Sequence, residues 1–146
     1  PVGTDAQRPS VNGTIRGNSD NGGVEYRVGN QWYRLVASQT PSVAAGAAAG
    51  TGATAILFDG SNDLAGGVTL TTGTSATTGT LFTLTFADAF FTGLVIKVTL
   101  TPADSDAAAE ITKYYVSSAS TTTFVVTAAT ALTDSTEYKI YYQIGQ

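Results

Sequence analysis

The stretch from residue 94 to residue 101 limits the possible folds most. Leu94, Ile96, Val98 and Leu100 fall on one side of an extended chain, with Lys97, Thr99 and Thr101 on the other. A period of two is the pattern of a half-buried β-strand. It recurs where Phe82, Leu84 and Phe86 alternate with threonines, and where Tyr138, Ile140, Tyr142 and Ile144 alternate with Lys139, Tyr141 and Gln143. Three such strands need a shared core. A chain of 146 residues can bury roughly 68–70% of its unfolded surface, enough for a core without disulfides or metals.

Further short strands are expected at 55–58, 67–71, 81–86, 111–117, 123–127 and 137–144. Between them lie turn clusters such as Asp59-Gly-Ser-Asn-Asp63 and Pro102-Ala-Asp-Ser-Asp106. Residues 107–110 add at most one helical turn. Strands at this spacing with no helical-period segment between them predict an all-β fold, an antiparallel β-sandwich of jelly-roll or Ig-like type.

The segment before the sandwich reads differently. Residues 1–21 are rich in Gly, Asn, Ser, Asp and Pro, with Val11 and Ile15 as apolar anchors, and predict an extended N-terminal arm. Residues 24–28 and 31–36 flank Gly29-Asn30, a turn that closes a tight β-hairpin. Counting outward pairs Arg27 with Trp32, Tyr26 with Tyr33, Glu25 with Arg34 and Val24 with Leu35. Arg27 is then placed to stack on Trp32 and Glu25 to meet Arg34. Val24, Tyr26, Tyr33 and Leu35 form an apolar face that must lie on a partner or on the main domain. Residues 38–54 contain an Ala/Gly run too small-sided for a core and read as a linker. The expected domains are therefore 1–37 (arm and hairpin), 38–54 (linker) and 55–146 (sandwich head).

Charge separates these parts. All four arginines lie in the first forty residues, which carry +1 while the remainder carries −5. With a sequence pI near 4.4, no nucleic-acid partner is expected. There is no run of about 18 apolar residues, so no membrane insertion is expected. Charged residues make up 12% of the chain, about half the usual share. Threonines fill many outward positions instead. Either part of this weakly charged surface meets other subunits, or threonine simply suits strands.

With no His and no Cys, Ser-His-Asp, Cys-His and His-ligated metal mechanisms are excluded. Asp104, Asp106 and Glu110 are close enough to suggest paired carboxylates, but in a Ser/Ala turn they read as solvated. Asp59, Asn62 and Asp63, or Asn18 and Asp20, lack the full spacing of a calcium loop. Gly50-Thr-Gly52 lacks the third glycine of a dinucleotide loop and the lysine of a phosphate loop. No catalytic residue, metal or cofactor is expected. The adjacent aromatics Phe90-Phe91, Tyr114-Tyr115 and Tyr141-Tyr142 cannot all point into one core. One of each pair should face outward, toward a subunit interface or a sugar. These six are the candidate oligomer contacts.

Gly3-Thr-Asp-Ala-Gln-Arg-Pro-Ser10, Asn12-Gly-Thr-Ile-Arg16, Glu25-Tyr26, Gly29 and Trp32 together resemble a segment recurrent in tailed-phage fibre and structural proteins. In that segment a Q-R-P…G-x-I-R-x-N arm leads into an E-Y…G…W hairpin. The likeness spans about thirty-five residues and departs at Gly17, where an aromatic is usual. The strands from Gly67 onward look more loosely like the Thr-rich sandwich heads of phage fibres. The resemblance implies a homotrimeric virion structural protein on the particle surface. No heptad or glycine-repeat shaft is present, which favours a capsid decoration or head-fibre protein bound to the major capsid protein or another virion protein. The receptor-binding head of a tail fibre, touching a host-surface glycan, is the second expectation. A carbohydrate-binding module is the third. Attachment is expected through Arg8, Pro9, Ile15, Arg16, Tyr26, Tyr33 and Leu35, since arginine pairs well with partner carboxylates.

Overall fold

The computed structural model describes residues 2–20, 22–36, 39–90 and 92–146, with Val36 described for its backbone only. The N-terminal part forms one sheet of β1 (Val2–Gly3), β2 (Ile15–Asn18), β3 (Val24–Val28) and β4 (Gln31–Val36), in that order. β1 runs parallel to β2, and the remaining pairs are antiparallel. The first residues thus fold back on the hairpin and do not form an extended arm. The hairpin pairs Glu25 with Arg34, Tyr26 with Tyr33 and Arg27 with Trp32, as the turn predicts. A register shift next to Glu25 places Val24 opposite Val36 in place of Leu35.

Two four-stranded antiparallel sheets make the sandwich. One has the order β10 (Tyr114–Ala119), β11 (Thr123–Ala128), β8 (Gly79–Thr85), β5 (Ser42–Ala45). The other has the order β6 (Thr54–Leu57), β7 (Ala65–Thr71), β12 (Glu137–Gly145), β9 (Lys97–Pro102). The alternation read from the sequence is kept: Phe82, Leu84 and Phe86 join Tyr138, Ile140, Tyr142 and Ile144 in one hydrophobic core. The rings of Phe124 and Tyr142 meet across it, 5.6 Å apart. β9 begins at Lys97, three residues later than expected, although Ile96 is already buried. The short helix α1 (Ser105–Ala109) follows it, capped by Asp104, whose Oδ1 accepts from Ala107 N at 2.7 Å.

Residues 38–54 are not a free linker. Ser42–Ala45 adds an edge strand to β8, and a 3-10 turn at Ala47–Ala49 buries Ala48 and Ala49. Thr51 then bridges to Thr74. The small side chains serve close backbone approach: a Cβ on Gly46 would clash with the Thr80 carbonyl, and across the bridge one on Gly73 would clash with the Thr51 carbonyl. The sandwich therefore begins at Ser42, not at residue 55.

Candidate functional site

Of the two covers expected for the apolar hairpin face, a partner or the main domain, the main domain is not the one: the charged face packs inward instead. The face carrying Arg16, Asn18, Glu25, Trp32 and Arg34 is buried. The apolar face is left outside, with Ile15 58% and Leu35 48% exposed. Turning charged groups inward is tolerable only when they are paired; each here has an ionic or hydrogen-bonding partner, although Arg16 Nε makes no hydrogen bond among the described residues. Glu25, 1% exposed, takes a bidentate pair from Arg8 (Nε 3.0 Å, Nη2 2.8 Å) and a third bond from Asn18 Nδ2 at 2.5 Å. Arg16 lies 3.8 Å from the same carboxylate and donates to the carbonyls of Gly3 and Thr4. Burial pushes the Glu25 carboxyl up, but the Arg8 and Asn18 hydrogen bonds and the Arg8 and Arg16 charges outweigh it. The result is a carboxyl held below the usual glutamate range.

A second pair docks this sheet on the sandwich. Arg34 Nη1 reaches Asp63 Oδ2 at 3.0 Å, and its guanidinium lies 4.9 Å from the centre of the Phe90 ring. Asp63 is fully buried and also accepts from Ala87 N (2.8 Å) and Asp88 N (3.1 Å). Trp32 is covered by Arg16, 5.8 Å from its ring. Arg27, expected on Trp32, instead donates to the carbonyls of Gly29 and Pro9.

The expected attachment residues thus divide into two groups. Arg8 and Arg16 are engaged inside the molecule, and Pro9 supplies a carbonyl to Arg27. Ile15, Tyr26, Tyr33 and Leu35 remain together on the outer face. Ile15 sits opposite Tyr26, which stacks on Tyr33 with centroids 5.2 Å apart. Val2, also exposed, lies over Gly17 beside them. Val2 takes the space over Gly17 that an aromatic at that position would need.

The paired aromatics split as the period of two requires. Phe90, Tyr114 and Tyr142 are buried in the core, which removes them as oligomer contacts. Tyr114 donates to Ala107 O and Tyr142 to Asn62 O. Burial, with Asp104 adding, pushes the Tyr114 hydroxyl up to about 12, and burial pushes Tyr142 higher still. Tyr115 and Tyr141 face outward. Phe91 lies outside the described residues. The carboxylates of the α1 turn have structural duties: Asp104 caps the helix and accepts from Lys139 N, while Glu110 pairs with Lys113.

One feature was not read from the sequence. A pocket of about 500 Å³ opens on the outer side of the β6–β7–β12–β9 sheet, beside the β6–β7 turn. Phe58 and Tyr141 meet there edge to face, 5.5 Å apart at 87°. Phe58 fits because Gly67, directly opposite Tyr141, has no Cβ; one would collide with the Phe58 ring. Gly66-Gly67 facing Tyr141-Tyr142 was the available signal. Asp59, Asn62, Thr101 and Gln143 complete the rim. Among the described residues, no three acidic side chains gather as a metal site, and no helix is long and apolar enough to cross a membrane. Comparison of the chain with family models, curated proteins and solved structures gives no match. Fold and geometry define an all-β sandwich protein carrying a docked N-terminal sheet.

Proposed function

We propose that this chain is a phage virion structural protein, a homotrimeric capsid decoration or head-fibre protein that attaches through the outer face of its N-terminal sheet. The carrying observation is that face: Ile15, Tyr26, Tyr33 and Leu35 in one apolar patch, on a sheet whose charged residues are turned inward. Turning arginines inward while leaving Ile15 and Leu35 exposed beside two half-buried tyrosines suits a dry contact with another protein. The resemblance of residues 3–32 to phage arm-and-hairpin segments supplies the partner class, a capsid subunit. Several copies held in one trimer would multiply a modest contact into firm attachment without any catalysis. Among the described residues, Tyr115, exposed on the edge strand β10, and Tyr141 remain as aromatic candidates for the trimer contact.

Ile15→Asp with Leu35→Asp tests the reading. Both positions are exposed, so the fold should survive nearly unchanged, while binding to stripped capsids should fall below detection. Normal decoration by the double variant, or a monomer mass for the wild type by light scattering at micromolar concentration, would contradict it.

A further inference from the structure

The geometry points to a second binding site, for a neutral saccharide of one or two rings, in the pocket beside the Phe58–Tyr141 ring pair. It is independent of the attachment face. Its size is that of a small-molecule site.

Three features select the ligand. The Tyr141 ring is 51% exposed but fixed in orientation by Phe58, giving a pre-set apolar plane with one open side. A pyranose offers such a plane its C–H face. Around the ring stand groups with unused hydrogen-bonding capacity. Asn62 Oδ1 is taken by the amides of Leu64 and Ala65, which leaves its Nδ2 to donate outward. The Asp59 carboxylate, the Thr101 hydroxyl and the Gln143 amide make no side-chain hydrogen bond within the described residues. Acceptors and donors side by side match vicinal hydroxyls, each of which both donates and accepts. Finally, no lysine or arginine lines the pocket. A phosphate or sialic acid would find no counter-charge and would meet the Asp59 carboxylate, so the ligand is not an anion, and a rim matched to vicinal hydroxyls selects a neutral sugar.

The floor is built to hold still. Ser61 Oγ accepts from Gly67 N at 3.1 Å, and the Tyr142 hydroxyl donates to Asn62 O at 2.7 Å. These bonds fix the turn that carries Asp59 and Asn62, which reduces the ordering cost of binding.

The test is a screen of the full chain against an array of neutral and sialylated glycans, followed by NMR titration with lactose, maltose and N-acetylglucosamine. Saturable shifts at Asp59, Gly67 and Tyr141 with a neutral sugar are expected. Tyr141→Ala should weaken binding roughly tenfold, and Asp59→Asn should weaken it while leaving the melting temperature unchanged. No binding to any neutral glycan, a preference for sialylated ones, or undiminished binding by both folded variants would overturn the assignment.

Discussion

At the residue scale the protein stands on charges that a hydrophobicity rule would have placed outside. Asp63 and Glu25 are buried anions satisfied by guanidinium groups and amides. Asp88, next to them, is less well served. Its Oδ2 is buried without a hydrogen-bond donor among the described residues. Burial raises its pKa; Arg34 works the other way, and Asp63 adds to the rise. A carboxyl whose folded pKa is raised favours folding in its protonated form. Its ionisation therefore costs stability as pH rises through the unfolded and then the folded value. Asp88→Asn should raise the melting temperature at neutral pH, and the advantage should vanish in acid, where Asp88 is itself neutral. Thermal melts across that range check the sign. Glu25 acts oppositely: its stabilisation is present above the ordinary glutamate range and is lost as pH falls through its depressed value.

At the element scale the Ala/Gly stretch teaches most. Gly73 passes so close to the Thr51 carbonyl that any side chain must displace one of the two segments. Gly73→Ala should cost about 1–3 kcal/mol, measured by urea denaturation, whereas an alanine at the exposed Gly52, with open space beyond its Cβ, should suffer only its backbone conformation. Composition could not reveal this corner. Small residues mark a flexible connection and a tight backbone crossing equally well, and only the partner strand distinguishes them. The strands were legible because alternation has one common cause: Tyr138, Ile140, Tyr142 and Ile144 all point inward as their spacing requires. The hairpin register was legible for the same reason, since the Gly29-Asn30 turn fixes it. Which face the hairpin buries was not legible. Glu25 and Arg34 are cross-strand neighbours, yet each finds its ion-pair partner outside the hairpin: Arg8 for Glu25, Asp63 for Arg34. The pocket escaped notice because it joins residues 58–62, 101 and 141–143, distant in sequence and individually ordinary.

At the scale of the whole molecule, the N-terminal sheet and the sandwich are not separable pieces. Removing residues 1–37 strips the guanidinium from Asp63 and the cover from Phe90. Losing one partner of a buried ion pair typically costs about 3–5 kcal/mol. The 38–146 fragment should therefore melt well below the full chain. Asp63→Asn in that fragment, which removes the stranded charge and keeps an oxygen acceptor for one of the Ala87 and Asp88 amides, should recover part of the loss. A fragment as stable as the intact protein would show that the two parts are merely adjacent. This coupling makes truncation a poor probe of attachment and the exposed substitutions at Ile15 and Leu35 a better one.

The side chain of Gln146 receives from Arg34 N at 3.3 Å and donates to Arg34 O at 3.0 Å. One primary amide thus stands in for a peptide group along the open flank of β4, the outermost strand of its sheet. An open flank invites a like strand from a neighbouring molecule and, repeated, a fibril. Filling that position with a group one residue wide ends the ladder there, a plug against edge-to-edge polymerisation.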